Sequence, residues 1–335
     1  MNPKFIGIGA QKAGTSWLYA RLNAHPDVWM PYQKELHYWD EKVTDPRRSL
    51  RQRMRGNHRV DVRWRIQMHK WTRNRTSWSP GELWWWARYF STSRYSDEWY
   101  LRQFAPAGNR MAGDISPGYA LIDSDGVRRV HRLCPEAPII FLLRHPVERA
   151  WSHAVMQLAW KGAVSDEEFL RHFASPAAVS RSDYLTSLET WTAVFPPEQM
   201  FVGFFEDTVL RPSELLDAVC DFIGLSRLPS RGDEVGKAAN KGRTEAIPAR
   251  HARRLAELYL PLTESVAGRV GGYADWWVYA TEQLIELSDD EPDVPYPFLH
   301  GSMFDTWKAQ NGIPAGELPP MASAPLDQVL ARAGA

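Results

Sequence analysis

Four short clusters in this chain combine residue types suited to holding phosphate and moving a proton. The first is GIGAQKAGTSW, Gly7 to Trp17. Gly9 and Gly14 keep the glycine spacing of the mononucleotide loop G-x-x-x-x-G-K-[ST], and Ser16 keeps its hydroxyl. Thr15, however, stands where that loop has its lysine, and Lys12 lies inside the loop. The second cluster is LLRHPVERAWS, in which Arg144 ends an apolar run and Ser152 follows eight residues later. An arginine at a strand end and a hydroxyl on the next helix can converge on one anion. The third is Lys241-Gly242-Arg243, a cationic pair around a glycine. The fourth is Lys34-Glu35-Leu36-His37, which offers a carboxylate and an imidazole for general acid–base work. Two anion sites beside a proton acceptor suit a nucleotide with phosphates at both ends.

These clusters need rigid elements to hold them. Phe5, Ile6 and Ile8 form a short apolar run that reads as a buried strand feeding the glycine loop. Trp17, Leu18 and Leu22 recur near helical spacing, and His25-Pro26 closes that helix. Strand, loop and helix N-terminus together direct backbone N–H groups and a positive dipole end at one anion. Ile139–Leu143 and Met200–Phe205 read as further strands buried on both faces. Pro146 opens a helix, and Pro212–Ile223 is an amphipathic helix ended by Gly224. A long helical segment runs from Ala249 to about Tyr259. Strands alternating with helices predict an α/β fold, a single P-loop-like domain whose central parallel sheet is flanked by helices. The predicted domain covers residues 1–311, with an insertion at about 42–100 and a Pro/Ala-rich C-terminal tail at 312–335.

In this order the clusters resemble the sulfotransferases that use 3′-phosphoadenosine 5′-phosphosulfate (PAPS), above all the heparan-sulfate-type and related bacterial branch. The matching stretches are GAQKAGTSWLY, KELHYWD, GDISPGY, LLRHPVERAWS and NKGR, spread over residues 5 to 260. The resemblance implies PAPS as sulfuryl donor, with no metal required. It assigns Lys12, Ala13, Gly14, Thr15, Ser16 and Trp17 to the 5′-phosphosulfate, with Lys12 beside the leaving oxygen. Arg144 and Ser152 fall to the 3′-phosphate, and Lys241, Gly242 and Arg243 to the loop closing over it. The catalytic base is Glu35 or His37, the other orienting it. Lys34, His37, Ser116, Tyr119, Trp84 and Arg88 are assigned to the acceptor side. His145 departs from the Asp or Asn that commonly follows the arginine.

Composition fits an ordinary globular protein: 335 residues, 44% hydrophobic and 24% charged, with 40 basic against 40 acidic residues. The zero net charge names no polyanionic partner, and no nucleic-acid motif is present. Cys134 and Cys220 lack metal-ligand spacing and read as reduced thiols. No signal peptide or membrane span is evident, which predicts a cytoplasmic protein. Between Arg47 and Arg94, thirteen Lys or Arg face two acids, interleaved with Trp64, Trp71, Trp78, Trp84, Trp85 and Trp86. This segment reads either as a helical insertion packing its tryptophans on the core or as an acceptor surface of stacking rings and arginines. The expected function is PAPS-dependent transfer to a hydroxyl, less readily an amine, of a carbohydrate, glycolipid or natural product. A P-loop-type kinase is the alternative enzyme, and a non-catalytic sulfonucleotide or anionic-glycan binder the alternative from another class.

Overall fold

The computed structural model describes residues 2–41, 50–57, 59–73, 79–90, 96–158, 164–227 and 246–334. Its centre is a six-stranded sheet. Strand β1 (Phe5–Gly9) lies between β3 (Met111–Ile115) and β4 (Ile139–Leu143), with the short β2 (Val28–Trp29) outside β3 and β5 (Met200–Phe204) outside β4. All these pairings are parallel, in the registers Ile6↔Asp114, Ile6↔Ile139 and Ile140↔Phe201. Every residue of β1, β4 and β5 is buried, which is why their apolar runs show no alternation.

Helix α1 (Thr15–Asn23) follows β1 directly. Between β2 and β3 come α2 (Leu50–Arg55), α3 (Arg59–Arg73), α4 (Pro80–Tyr89) and α5 (Asp97–Arg102), the expected helical insertion. Helix α6 (Ser124–Leu133) leads into β4, and α7 (Pro146–Leu158) leaves it with Pro146 in its first turn. The helix Pro212–Ile223 ends at Gly224, which takes the left-handed conformation of a C-terminal cap.

Two expectations need correction. The helix beginning at Ala249 runs on to Val270 through Pro261. Its buried stripe of Leu255, Ala256, Tyr259, Thr263, Val266 and Val270 continues at helical spacing, and this packing outweighs the bond lost at the proline. The Pro/Ala-rich tail also joins the fold. Ala324–Pro325 pairs antiparallel with β5 and supplies the last strand of the sheet. The helix Leu326–Ala333 buries Leu326 and Val329, an i, i+3 pair hidden by the surrounding composition. Among the described residues, no helix is long and apolar enough to cross a membrane.

The parallel strands deliver the glycine loop, residues 30–41, the Ser116–Tyr119 turn, Arg144 and Phe205 to one edge, the carboxyl end of the sheet. Ligands of open α/β sheets bind at this edge.

Candidate active site

The loop after β1 is held by the neighbouring strand, with the Ala10 N–H bonded to the Leu142 carbonyl at 2.5 Å. Lys12 takes φ +75°, and Gly14, the residue before α1, takes φ +94°. A side chain at Gly14 would be strained by that φ and would also press the Thr208 methyl at 3.3 Å. Helix α1 has no side-chain cap and no acid in its first turn, which suits the positive end of its dipole to an anion. Thr15 and Trp17 are buried there, while Ser16 stays half-exposed at the helix start. The Lys12 ammonium lies 3.8 Å from Met156 Sδ on α7. Burial first, then Arg144 and Lys34, lower its pKa below the usual lysine value, and Glu35 opposes them.

Arg144 meets this loop from the end of β4. Its Nη1 donates to the Lys12 carbonyl at 3.1 Å, while Nε and Nη2 donate to Glu148 Oε2 at 2.9 and 2.8 Å. The guanidinium lies 3.9 Å from the centre of the Phe205 ring and 5.0 Å from that of Tyr296. Glu148 is itself fixed, because its Oε1 accepts the Phe298 N–H at 2.5 Å. Nearby, Glu206 Oε1 accepts from Trp277 Nε1 at 2.6 Å. Burial, then repulsion from Glu148, pushes the Glu206 carboxyl up to about 8, so it is mainly neutral at pH 7. A guanidinium has five N–H donors. Three are engaged, and among the described residues the other two have no hydrogen-bond acceptor.

Glu148, Ser152 and Met156 share one face of α7 at i, i+4 and i+8. Glu148 holds Arg144 and Met156 touches Lys12, so half-buried Ser152 lies between them on the face turned to the loop. His145 is buried and accepts the Val147 N–H on Nδ1 at 3.2 Å. Burial, then Arg144, depresses it to about 3, leaving the neutral imidazole to cap the turn as Asp or Asn would.

The acid–base segment forms a chain of contacts. Lys34 Nζ lies 2.6 Å from Glu35 Oε1, His37 Nε2 lies 3.4 Å from Glu35 Oε2, and His37 Nδ1 lies 2.8 Å from Asp40 Oδ2. Burial pulls the His37 pKa down, but the bonds to Asp40 and Glu35 outweigh it and raise it to about 9. Burial likewise pushes Glu35 up, and its contacts with His37 and Lys34 reverse this to about 2. At neutral pH the pair is therefore carboxylate and imidazolium. Arg63 of α3 pairs with Glu41 at 2.8 Å, and its charge bears on His37, so the insertion reaches this cluster.

The remaining expected residues divide. Ser116 and Tyr119 are fully buried, and their hydroxyls donate to Asp114 at 2.9 and 2.7 Å. Their hydroxyls are turned inward to this carboxylate. Trp84 is 62% exposed with the Arg88 guanidinium 4.9 Å from its ring centre, whereas Trp64, Trp85 and Trp86 are core residues. Lys241, Gly242 and Arg243, Trp78 and the Trp71 side chain lie outside the described residues. Sequence reasoning assigned no role to Glu148, Asp40, Asp114 or Tyr296. Glu148 stands at i+4 from Arg144 and Asp40 at i+3 from His37, and both spacings were readable. Tyr296 gave no signal.

A mostly parallel α/β sheet, with a glycine loop, a helix N-terminus without a side-chain cap and a buried arginine at its carboxyl edge, places the chain among α/β proteins whose strand ends are suited to an anion. Comparison with known proteins narrows the class: the profile of the Sulfotransferase family matches residues 3–229, and the chain belongs to that family. It is 24% identical over 276 residues to carbohydrate sulfotransferase 15 of Mus musculus, covering 72% of this chain and 48% of that protein. It is 26% identical over 210 residues to human heparan sulfate glucosamine 3-O-sulfotransferase 6, covering 53% of this chain and 60% of that one. The chain thus spans about half the length of the curated relatives it matches. A solved sulfotransferase from Alicyclobacillus acidocaldarius shares the fold with TM-score 0.54 at 22% identity, covering 83% of this chain and 99% of that one.

Proposed function

We propose that this chain is an enzyme that transfers the sulfuryl group of PAPS to a hydroxyl of a carbohydrate, glycolipid or natural-product acceptor. The observation that carries this reading is the direct bond between the two expected anion sites. Arg144 grips the Lys12 carbonyl and keeps two N–H donors, matching one bidentate phosphate contact, while α1 presents uncapped N–H groups to a second anion. A nucleotide with phosphates at both ends fits this pair. The family's name and the relatives' acceptors agree with it.

Bound there, PAPS supplies a sulfuryl group whose sulfur–oxygen bond to the 5′-phosphate breaks as the acceptor oxygen bonds to sulfur, leaving 3′,5′-ADP. The chain's own residues perform the rest. The N–H groups of Gly14, Thr15 and Ser16, with both hydroxyls, hold the 5′-phosphate, and Arg144 with Ser152 holds the 3′-phosphate. Lys12 neutralises the charge growing on the leaving oxygen. Glu35 takes the acceptor's proton. His37 is an imidazolium below about pH 9 and has no lone pair free to do so. A carboxylate held at about 2 is a weak base, and Lys34 provides the remedy. When Lys34 Nζ moves from Glu35 to the sulfuryl oxygens, one of the bonds depressing Glu35 is lost and its proton affinity rises. Arg63, whose charge bears on His37, brings the insertion to the acid–base cluster, and the exposed Trp84–Arg88 pair is assigned to the acceptor as a stacking ring and a cation.

The test is incubation with radiosulfur-labelled PAPS and three probes: desulfated heparan, a simple phenol and a glycolipid. Label on one probe with matching release of 3′,5′-ADP supports the reading. No label on any of them, with nucleotide binding absent, overturns it.

A further inference from the structure

The GDISPGY turn is bound to the acid–base segment atom by atom. Asp114 is fully buried on β3, and its Oδ1 accepts the Ser116 hydroxyl at 2.9 Å. Its Oδ2 accepts the hydroxyls of Tyr119 at 2.7 Å and Tyr100 at 3.1 Å. Those hydroxyls pass the contact forward: Tyr119 Oη accepts the Tyr38 N–H at 3.1 Å, and Ser116 Oγ receives the His37 N–H at 3.5 Å. The turn is anchored in its own right, since the Ser116 N–H donates to the Gly7 carbonyl of β1 at 2.9 Å. Gly118 completes the fit. A Cβ there would overlap Asp40 Oδ2, the oxygen that holds His37 Nδ1. The clamped backbone is a demanding one, with Glu35 at φ +66° and His37 at φ +53°. Non-glycine residues adopt such angles only where their surroundings impose them.

We propose that the Gly113–Tyr119 turn is the mould of the acid–base segment, with Asp114 as the positioning residue that holds the His37 and Tyr38 amides through two hydroxyls and Gly118 as the gap that lets Asp40 reach His37. The inference rests on Glu35 and His37 being the acid–base pair of the proposed function. It reassigns Ser116 and Tyr119 from acceptor contact to support. It also ties proton transfer to β1, the strand that carries the phosphate loop, so one rigid frame sets the distance between base and leaving group.

The groups facing His37 are Glu35 and Asp40 from its own segment, Arg63 from α3 and Asp114 behind the turn. The imidazole titration therefore reports directly on the mould. Gly118→Ala needs only the end of the Asp40 side chain to shift, and Gly118 has no left-handed φ to oppose alanine. The experiment follows His37 by NMR in Gly118→Ala and Tyr119→Phe, with calorimetric binding of 3′,5′-ADP measured in parallel. The expected result is a wild-type titration near 9 that falls in both variants, and in Gly118→Ala by about one unit or more, the size of a lost carboxylate contact. Affinity for 3′,5′-ADP should stay within about twofold, as for changes at separate sites. A His37 titration unmoved in both variants overturns the mould. So does a loss of nucleotide affinity equal in proportion to any change at His37, the mark of general disruption. Failure of the wild type to bind 3′,5′-ADP would overturn the proposed function instead, with the titration still deciding the mould.

Discussion

Replacing Arg144 with lysine asks whether the fork geometry, rather than the charge, recognises the 3′-phosphate. Arg144 engages Glu148 through Nε and Nη2 and the Lys12 carbonyl through Nη1, with two N–H donors remaining. Lysine keeps the positive charge beside Glu148, so no buried carboxylate is left without a cation and the fold should persist. Its three donors sit on one nitrogen, however, and cannot span Glu148, the loop carbonyl and a bidentate phosphate together. A hydrogen bond to a charged group contributes about 1.5–3 kcal/mol. Losing one phosphate contact and loosening the other should cost about 2–3 kcal/mol, or roughly 30- to 150-fold in Kd. The assay is calorimetric titration with 3′,5′-ADP and with 5′-AMP, which lacks the 3′-phosphate. The ratio of the two Kd values isolates that group from any general damage. Arg144→Lys should collapse the ratio by that factor while 5′-AMP affinity changes by less than about threefold. A ratio equal to that of the wild type would refute the assignment of Arg144.

Lys12→Met should lower kcat by about 10²- to 10³-fold, the scale of one lost charge-stabilising donor, and weaken 3′,5′-ADP by less than tenfold; equal losses in both would place Lys12 in binding alone. Glu35→Gln should reduce turnover of PAPS by about 10²- to 10⁴-fold, the range of a general base, and His37→Gln by less; the reverse order in steady-state assays would make His37 the base. His37 has a folded pKa raised to about 9 from 6.5, so its ionic contacts stabilise the fold fully below pH 6.5 and are lost as pH rises through 9. The melting-temperature gap between wild type and His37→Gln should accordingly be widest below pH 6.5 and close above pH 9, and a gap that widens with pH would contradict this.

Much of the frame could be read from residue order because its determinants are local. The buried runs Phe5–Gly9 and Ile139–Leu143, the proline opening α7 and the glycine after Ile223 each carry a short-range signal. The partners of the site residues were harder. Glu148 and Asp40 lie within one helical turn of Arg144 and His37, yet only coordinates reveal which oxygen they present. Tyr296 and Phe298 reach Arg144 and Glu148 from about 150 residues away, a closure that no periodicity records. Ser116 and Tyr119 misled for another reason: a polar, turn-rich motif reads as surface, whereas Asp114 supplies the carboxylate that lets hydroxyls be buried at little cost. The C-terminal strand and helix escaped because proline and alanine masked a two-residue apolar contact.

The most direct test of the central claim is thermal unfolding of the wild type with 3′,5′-ADP, 5′-ADP and ATP–Mg²⁺ in parallel. A ligand that binds only the native state raises the melting temperature according to its affinity. The account predicts a large shift with 3′,5′-ADP and a much smaller one with either of the others, because only the bisphosphate fills both the α1 terminus and the Arg144 site. A shift with ATP–Mg²⁺ alone would contradict the account and return the loop to a kinase.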